Sequence, residues 1–216
     1  MELGDLVRFR HCGRTVYVLA DSTVSPRCPH CGNEVRFGLS DAPVRVHCPI
    51  ENGHSTSCCF LVSSQLGLAG LSADNEAELH VGVSNSTGVV FSYSGSGVQR
   101  QQQGWTHCVV IPLVAPANQD LHFMAQWDRD LETFAAQDCW TPERFEEQRR
   151  FGSCCYGFAL GFINQVMMSE GKQPISSQDF TARWVLPKTE RMAKFLSLWE
   201  LVRRDGYFST NPSFSS

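Results

Sequence analysis

Apolar residues recur at two different spacings along this chain of 216 residues. In the first half, short apolar runs are interrupted by Gly, Ser and Asn, a pattern typical of β-strands separated by turns. Beyond residue 120, apolar residues recur every three or four positions, as they do on one face of a helix. The pattern therefore predicts an α+β protein.

The predicted strands are short. Leu6–Phe9 and Thr15–Leu19 are joined at His11-Cys12-Gly13, and Leu79–Val83 and Gly88–Tyr93 flank a polar break that favours a hairpin. Three further predicted strands are Val44–His47, Cys59–Val62 and Thr106–Leu113. Such small N-terminal strands need a metal or another staple, because they cannot build a sufficient core alone.

Four segments show the helical spacing. They are Asp120–Ala136, Cys155–Gly171, Ser177–Trp184 and Thr189–Asp205. Gly171 and Gly206 follow the apolar stripes at the positions where glycine commonly ends a helix. Thr141 and Pro142 favour a further helix start, in a charged segment that runs to Arg150.

The cysteines divide the chain unevenly, since six of the ten precede residue 60. We place a domain boundary in the Gly/Ser/Ala-rich stretch 63–74. The predicted organisation is a small zinc-ribbon-like β module over 1–64, a larger α+β domain over 65–208 with an antiparallel sheet packed on helices, and a flexible tail over 209–216.

Composition narrows the possible classes of function. Hydrophobic residues make up 42% and charged residues 19% of the chain, as in globular proteins. The net charge of −4 gives no basic footprint, so we expect no nucleic-acid partner. No apolar run is long enough to cross a membrane, and the first residues lack the basic start and apolar stretch of a secretory signal. We therefore expect an intracellular protein with reduced cysteines.

Cys28-Pro29-His30-Cys31-Gly32 is typical of a zinc knuckle, because both thiolates can reach one ion and the glycine allows a tight turn. Zinc requires a second pair of ligands. The preferred set adds His54 and Cys58, with Cys12 as the main substitute. The other candidates are His11, Cys48 and Cys59. A redox motif and plain thiols are the alternatives to zinc.

A second constellation lies in the later part of the chain. His80 stands on a predicted strand, and Cys154 and Cys155 open the predicted helix 155–171. A thiol at a helix N-terminus is favoured as the reactive thiolate, and a nearby imidazole would complete a Cys–His pair. Either residue alone is more often a structural or core residue.

A strand with histidine, a glycine turn, a return strand and a helix opening with cysteine resembles the circularly permuted papain-like hydrolases. These include the PPPDE peptidases and the lecithin-retinol-acyltransferase-like enzymes. The resemblance implies His80 as base and Cys155 as nucleophile, although Cys154 stands where that pattern has Asn. It also leaves open which thiol attacks, and Val90-Phe91-Ser92-Tyr93 offers no second histidine.

A closer resemblance covers nearly the whole chain. Many short strings occur in the same order as in the makorin-2 opposite-strand protein family. They are Asp41-Ala42-Pro43-Val44, Asn52-Gly53-His54, Leu79-His80-Val81-Gly82-Val83, Gly97-Val98-Gln99-Arg100, Gln126-Trp127-Asp128 and Phe162-Ile163-Asn164. This resemblance implies a small N-terminal domain joined to an α+β domain, and it implies no particular activity.

Two functions follow from these patterns. The first is a zinc-stabilised, non-catalytic, papain-like module that binds a protein partner. The alternative is a thiol hydrolase or acyltransferase in which Cys155 attacks an amide, isopeptide or ester carbonyl and His80 moves the proton.

Overall fold

The protein has the predicted α+β architecture, and its sheets are antiparallel. The structure is a computed structural model that describes residues 3–20, 27–38, 42–64, 71, 79–114, 120–145 and 154–211. The chain divides into two compact units, the first formed by Met1–Pro49 with Arg191–Ser216 and the second by Ile50–Glu190. No helix in these ranges is long and apolar enough to cross a membrane.

The strands in chain order are β1 (Leu6–His11), β2 (Arg14–Leu19), β3 (Val44–Val46), β4 (Ile50–Glu51), β5 (Cys59–Ser64), β6 (Leu79–Ser84), β7 (Val90–Ser94), β8 (Gly97–Gln101), β9 (Cys108–Pro112) and β10 (Phe208–Thr210). The helices are α1 (Leu121–Ala135), α2 (Cys155–Ser169), α3 (Ser177–Phe180) and α4 (Leu186–Asp205). A π-helical segment, Thr181–Val185, joins α3 to α4. Single 3-10 turns cover Gly53–Ser55 and Pro142–Arg144.

The first unit is a four-stranded antiparallel sheet in the order β10-β2-β1-β3. Its main core joins Leu6 of β1 to the part of α4 in this unit, through Phe195, Trp199 and Val202. A smaller core cluster contains Phe9, Val16 and Cys28. The strand β10 includes residues 209 and 210, which the sequence had assigned to the tail, and residues 212–216 lie outside the described ranges.

The second unit contains a six-stranded antiparallel sheet in the order β4-β9-β5-β6-β7-β8. One face packs on the helices: the ring of Phe60 lies 5.7 Å from that of Tyr156, and Tyr93 lies 6.2 Å from Phe158. The opposite face carries a second buried cluster in which Leu61, Val90 and Trp105 take part. Every residue of β5 is buried, because this central strand is covered on both faces.

The hairpin predicted around residues 84–87 is present as β6 and β7, with Gly82 paired to Ser92 and Ser84 to Val90. The start predicted at Thr141 is a single 3-10 turn, since the amide of Phe145 closes back on Pro142. The rest of that segment, 146–150, lies outside the described ranges, as does most of the predicted linker 63–74. The predicted division into domains 1–64 and 65–208 stays a prediction, because its boundary lies mostly outside the described ranges.

Helix α1 is fixed to the β6–β7 turn by Asp128. One carboxylate oxygen accepts from the amide of Ser86 at 2.8 Å and the other from its hydroxyl at 2.6 Å. We expect Asp128→Ala to lower the free energy of unfolding by about 2 kcal/mol, because both donors lose a charged acceptor. Urea unfolding would measure the loss. Asp130→Ala is the control, since that carboxylate accepts from Gln126 on the same helix, and an equal loss there would contradict the assignment.

Candidate metal centre

Four side chains of the first unit converge into a Cys₃His cluster. The donor atoms of His11, Cys12, Cys28 and Cys31 all lie within 4.8 Å of one another. Within the cluster, Cys31 Sγ lies 3.4 Å from His11 Nδ1. Ligands around a tetrahedral zinc ion with bonds of about 2.0–2.3 Å are separated by roughly 3.5–3.8 Å. The cluster can hold a metal ion after side-chain movements of about 1 Å.

The turn between β1 and β2 supplies two of the donors. His11 is paired with Arg14 at the end of the hairpin, so that Cys12 and Gly13 form a two-residue loop. Both loop residues have positive φ, 47° at Cys12 and 71° at Gly13, as a tight primed turn requires. Asn or Gly ordinarily fills the first of these positions, because a cysteine there carries backbone strain. Strained residues of this kind are concentrated at functional sites, and the thiol of Cys12 lies in the cluster.

The other two donors come from the predicted knuckle. The amide of Gly32 donates to the Cys28 carbonyl at 2.8 Å, and the Cys28 amide donates to the Asn33 carbonyl at 2.8 Å. Gly32 adopts φ 75°, which closes the turn. Cys28 is buried in the small core cluster, whereas Cys31 is exposed. The knuckle therefore presents one anchored and one accessible thiol to the loop of the first hairpin.

The thiols influence one another strongly. Desolvation by the neighbouring groups, together with the adjoining thiols of Cys31 and Cys28, raises the pKa of Cys12 to about 11. The backbone amide of Asn33, with smaller contributions from the thiols of Cys12 and Cys28, lowers the pKa of Cys31. Thiols crowded in this way are deprotonated together only when a cation balances their charge, and a bound metal ion supplies that charge.

The cluster contains Cys28, Cys31 and the predicted substitute Cys12, but not His54 or Cys58. Those two residues belong to the second unit. His54 uses both ring nitrogens there, since Nδ1 donates to the Gly88 carbonyl at 2.8 Å and Nε2 accepts from the Trp105 amide at 3.3 Å. Cys58 is fully buried, and burial raises its pKa to about 12.

His11 completes the cluster, and the sequence left it as an upstream candidate of lower rank. The sequence favoured His54 as a zinc ligand because three residues separate it from Cys58, a workable spacing for two ligands of one ion. The decisive signal is the adjacent pair His11-Cys12 before Gly13 at a hairpin turn, since a tight turn allows neighbouring residues to face one point. Cys48, another early candidate, donates its amide to Asp5 at 2.8 Å.

The structure places the proposed base and nucleophile on different faces of the second sheet. Phe60, whose ring meets α2, is paired with Val83, so the face of Val83 is the one that α2 covers. Alternate residues of a strand point to opposite faces, and His80 therefore points away from α2. Its ring lies 5.5 Å from that of Trp105, which belongs to the cluster on the other face. Cys155 begins α2, beside the backbone of Val81.

The electrostatics of the two groups also oppose an ion pair. Burial raises the pKa of the Cys155 thiol, against a smaller contribution from the backbone of Val81, and burial lowers the pKa of His80. Both shifts favour the neutral forms, whereas an activated pair requires thiolate and imidazolium.

We expect Cys155 to react with iodoacetamide at pH 7 at least about tenfold more slowly than an accessible cysteine, because its thiol stays protonated and half-buried. Its rate should rise only at alkaline pH. Site-resolved mass spectrometry would follow it, with the exposed Cys139 as internal control. Faster labelling of Cys155 than of Cys139 at pH 6 would restore the hypothesis of a reactive thiol.

Comparison with known proteins identifies the same family that the short sequence strings indicated. Residues 43–202 match the family model described as DUF4796 C-terminal. The chain is 37% identical over 207 residues to the human (Homo sapiens) MKRN2 opposite strand protein. The aligned residues cover 95% of this chain and 89% of that protein. No solved structure matches the chain. The family model and the full-length similarity together place this chain in the DUF4796 family of makorin-2 opposite-strand proteins, as the sequence predicted.

Proposed function

We propose that this protein is a zinc-stabilised, non-catalytic binding protein, and that its zinc is structural. The observation that carries the proposal is the convergence of His11, Cys12, Cys28 and Cys31 on one point. Three thiols and one imidazole form a donor set typical of structural zinc sites, in which all four positions belong to the protein. Softness of the thiolates favours zinc over magnesium or calcium.

The position of the cluster supports a structural role. Residues 11–12 and 28–31 are separated along the chain, and an ion between them would fix the knuckle to the first hairpin. His30, within the knuckle, also approaches Ser209 of β10, with Nδ1 3.2 Å from the hydroxyl. The ion would fix the knuckle that contacts the last strand, and this stabilisation compensates for the small size of the cores in the first unit.

A non-catalytic role is favoured over the thiol hydrolase because His80 and α2 lie on different faces of the sheet and both groups favour their neutral forms. The papain-like and zinc-ribbon-like architectures belong to this proposal, as does a protein partner. An intracellular location belongs to the proposal as well, because thiols are kept reduced there and stay available as zinc ligands.

Metal analysis of the purified full chain tests the proposal. We expect one zinc ion per chain, and we expect Cys31→Ser to lose it, because removing an exposed ligand disturbs little else. Cys58→Ser distinguishes the observed cluster from the ligand set that the sequence favoured. The variant should retain one zinc ion under the present proposal, and it should lose the ion if Cys58 is a ligand. A wild-type chain without zinc after purification in zinc-supplemented buffer would refute the proposal.

A further inference from the structure

The second unit contains a cavity that the metal proposal does not involve. It has a volume of about 490 Å³ and lies between the end of β9, helices α1 and α2, and the segment from α3 into the π-helix. Cavities of roughly 300–1,000 Å³ are typical of small-molecule sites. Aromatic rings supply much of its wall, through Phe123, Trp127, Phe180 and Trp184.

The π-helical segment Thr181–Val185 shapes one wall of this cavity. Phe180 directly precedes the segment and Trp184 lies within it, and their ring centroids are 5.4 Å apart with planes inclined by 34°. Short π segments are uncommon and are found frequently at functional sites. Trp184 is 41% exposed, so a large aromatic side chain faces solvent where a ligand would cover it.

The charge of the lining restricts the ligand. Among the residues that line the cavity, Glu170 and Lys172 are the ionisable ones, and they pair with each other at 2.5 Å. Both remain substantially exposed, with side-chain exposures of 40% and 63%, so the pair lies at the solvent side. The indole N–H of Trp127 already donates to the Ser84 carbonyl at 3.1 Å. The remaining side chains that line the cavity are apolar, so its walls offer an occupant no unpaired side-chain charge.

We propose that this cavity is a binding site for an uncharged, lipophilic ring compound of small-molecule size. Aromatic walls contact flat rings over a large area, and burial of apolar surface would supply the affinity. A charged group would enter without a counter-ion, because Glu170 and Lys172 satisfy each other. The site lies within the second unit, so this proposal does not depend on the metal.

Binding of prodan, a neutral naphthalene whose emission shifts to the blue in apolar surroundings, tests the proposal on the full chain. We expect a saturable blue shift with one site per chain. Val166→Trp places a large ring in the cavity and should weaken binding by about tenfold or more. Trp184→Ala should weaken it by about fivefold, because one wall is removed. Leu79→Ala, which removes an exposed leucine outside the lining, should leave it unchanged.

Two further readouts decide the outcome. The far-UV circular dichroism and the urea midpoint of Val166→Trp should match those of the wild type, so that lost binding is not lost folding. Ile175→Phe fills the same cavity with a smaller ring and is measured in the same way. Anilinonaphthalene sulfonate, a naphthalene with one negative charge, should bind about tenfold more weakly than prodan. Three results would overturn the proposal: no binding of prodan, wild-type affinity for prodan in both Val166→Trp and Ile175→Phe, or tighter binding of the sulfonate than of prodan.

Discussion

Cys28→Ser should abolish zinc binding and lower the free energy of unfolding of the first unit by at least about 4 kcal/mol. Cys28 is 1% exposed and packs with Phe9 and Val16, so the substitution removes a ligand and also puts a hydroxyl into a small core. Differential scanning calorimetry with and without a chelator would measure the effect. The variant should unfold at or somewhat below the temperature of the chelated wild type, because of the added hydroxyl, and added zinc should not restore it.

Cys108→Ser is a matched control for this experiment. Cys108 is also fully buried, and its thiol donates to the Trp105 carbonyl, a bond that a serine hydroxyl can form. It lies in the second unit, outside the cluster. We expect a loss of about 1 kcal/mol and an unchanged zinc content. Equal losses in the two variants would mean that Cys28 acts only as a core residue.

Local patterns predicted most of the strands and helices because their causes are local. The 6–9 and 15–19 runs became β1 and β2, and the stripe of the 155–171 segment became α2, since apolar spacing alone decides which face is buried. The return of the chain end to the first sheet was not predicted. Strand β10 has three residues, and pairing with β2 over so short a length leaves no periodic signal.

The preferred ligand set contained two of the four residues of the cluster, with Cys12 as the substitute, for a similar reason. The Cys28–Cys31 spacing is a local property, so these two members of the cluster could be identified from the sequence. The other pair depends on which turn approaches the knuckle, and this is a property of the sheet. His54 is suitable by spacing, but both of its ring nitrogens are hydrogen-bonded, to Gly88 and Trp105. These partners lie 34 and 51 positions further along the chain, so no local pattern indicates them.

Gly88→Ala should lower the free energy of unfolding of the second unit by about 4 kcal/mol or more. Gly88 has φ +82°, and a Cβ there would stand 2.1 Å from the carbonyl oxygen of His54. That oxygen is backbone and cannot rotate away. The Gly88 carbonyl also accepts from the His54 ring, so movement of the turn would break this bond as well. Urea unfolding followed by circular dichroism would measure the loss.

Gly171→Ala separates the steric effect from the conformational one. Gly171 has a similar φ of +72°, but a Cβ added there meets nothing within 4 Å. Its substitution should therefore cost only the backbone preference of glycine, about 1 kcal/mol. The difference between the two variants measures how rigidly the β6–β7 turn and the 3-10 turn at Gly53–Ser55 hold each other. If the losses were equal, the turn would yield freely, and His54 would be free to leave the place that its two hydrogen bonds assign to it.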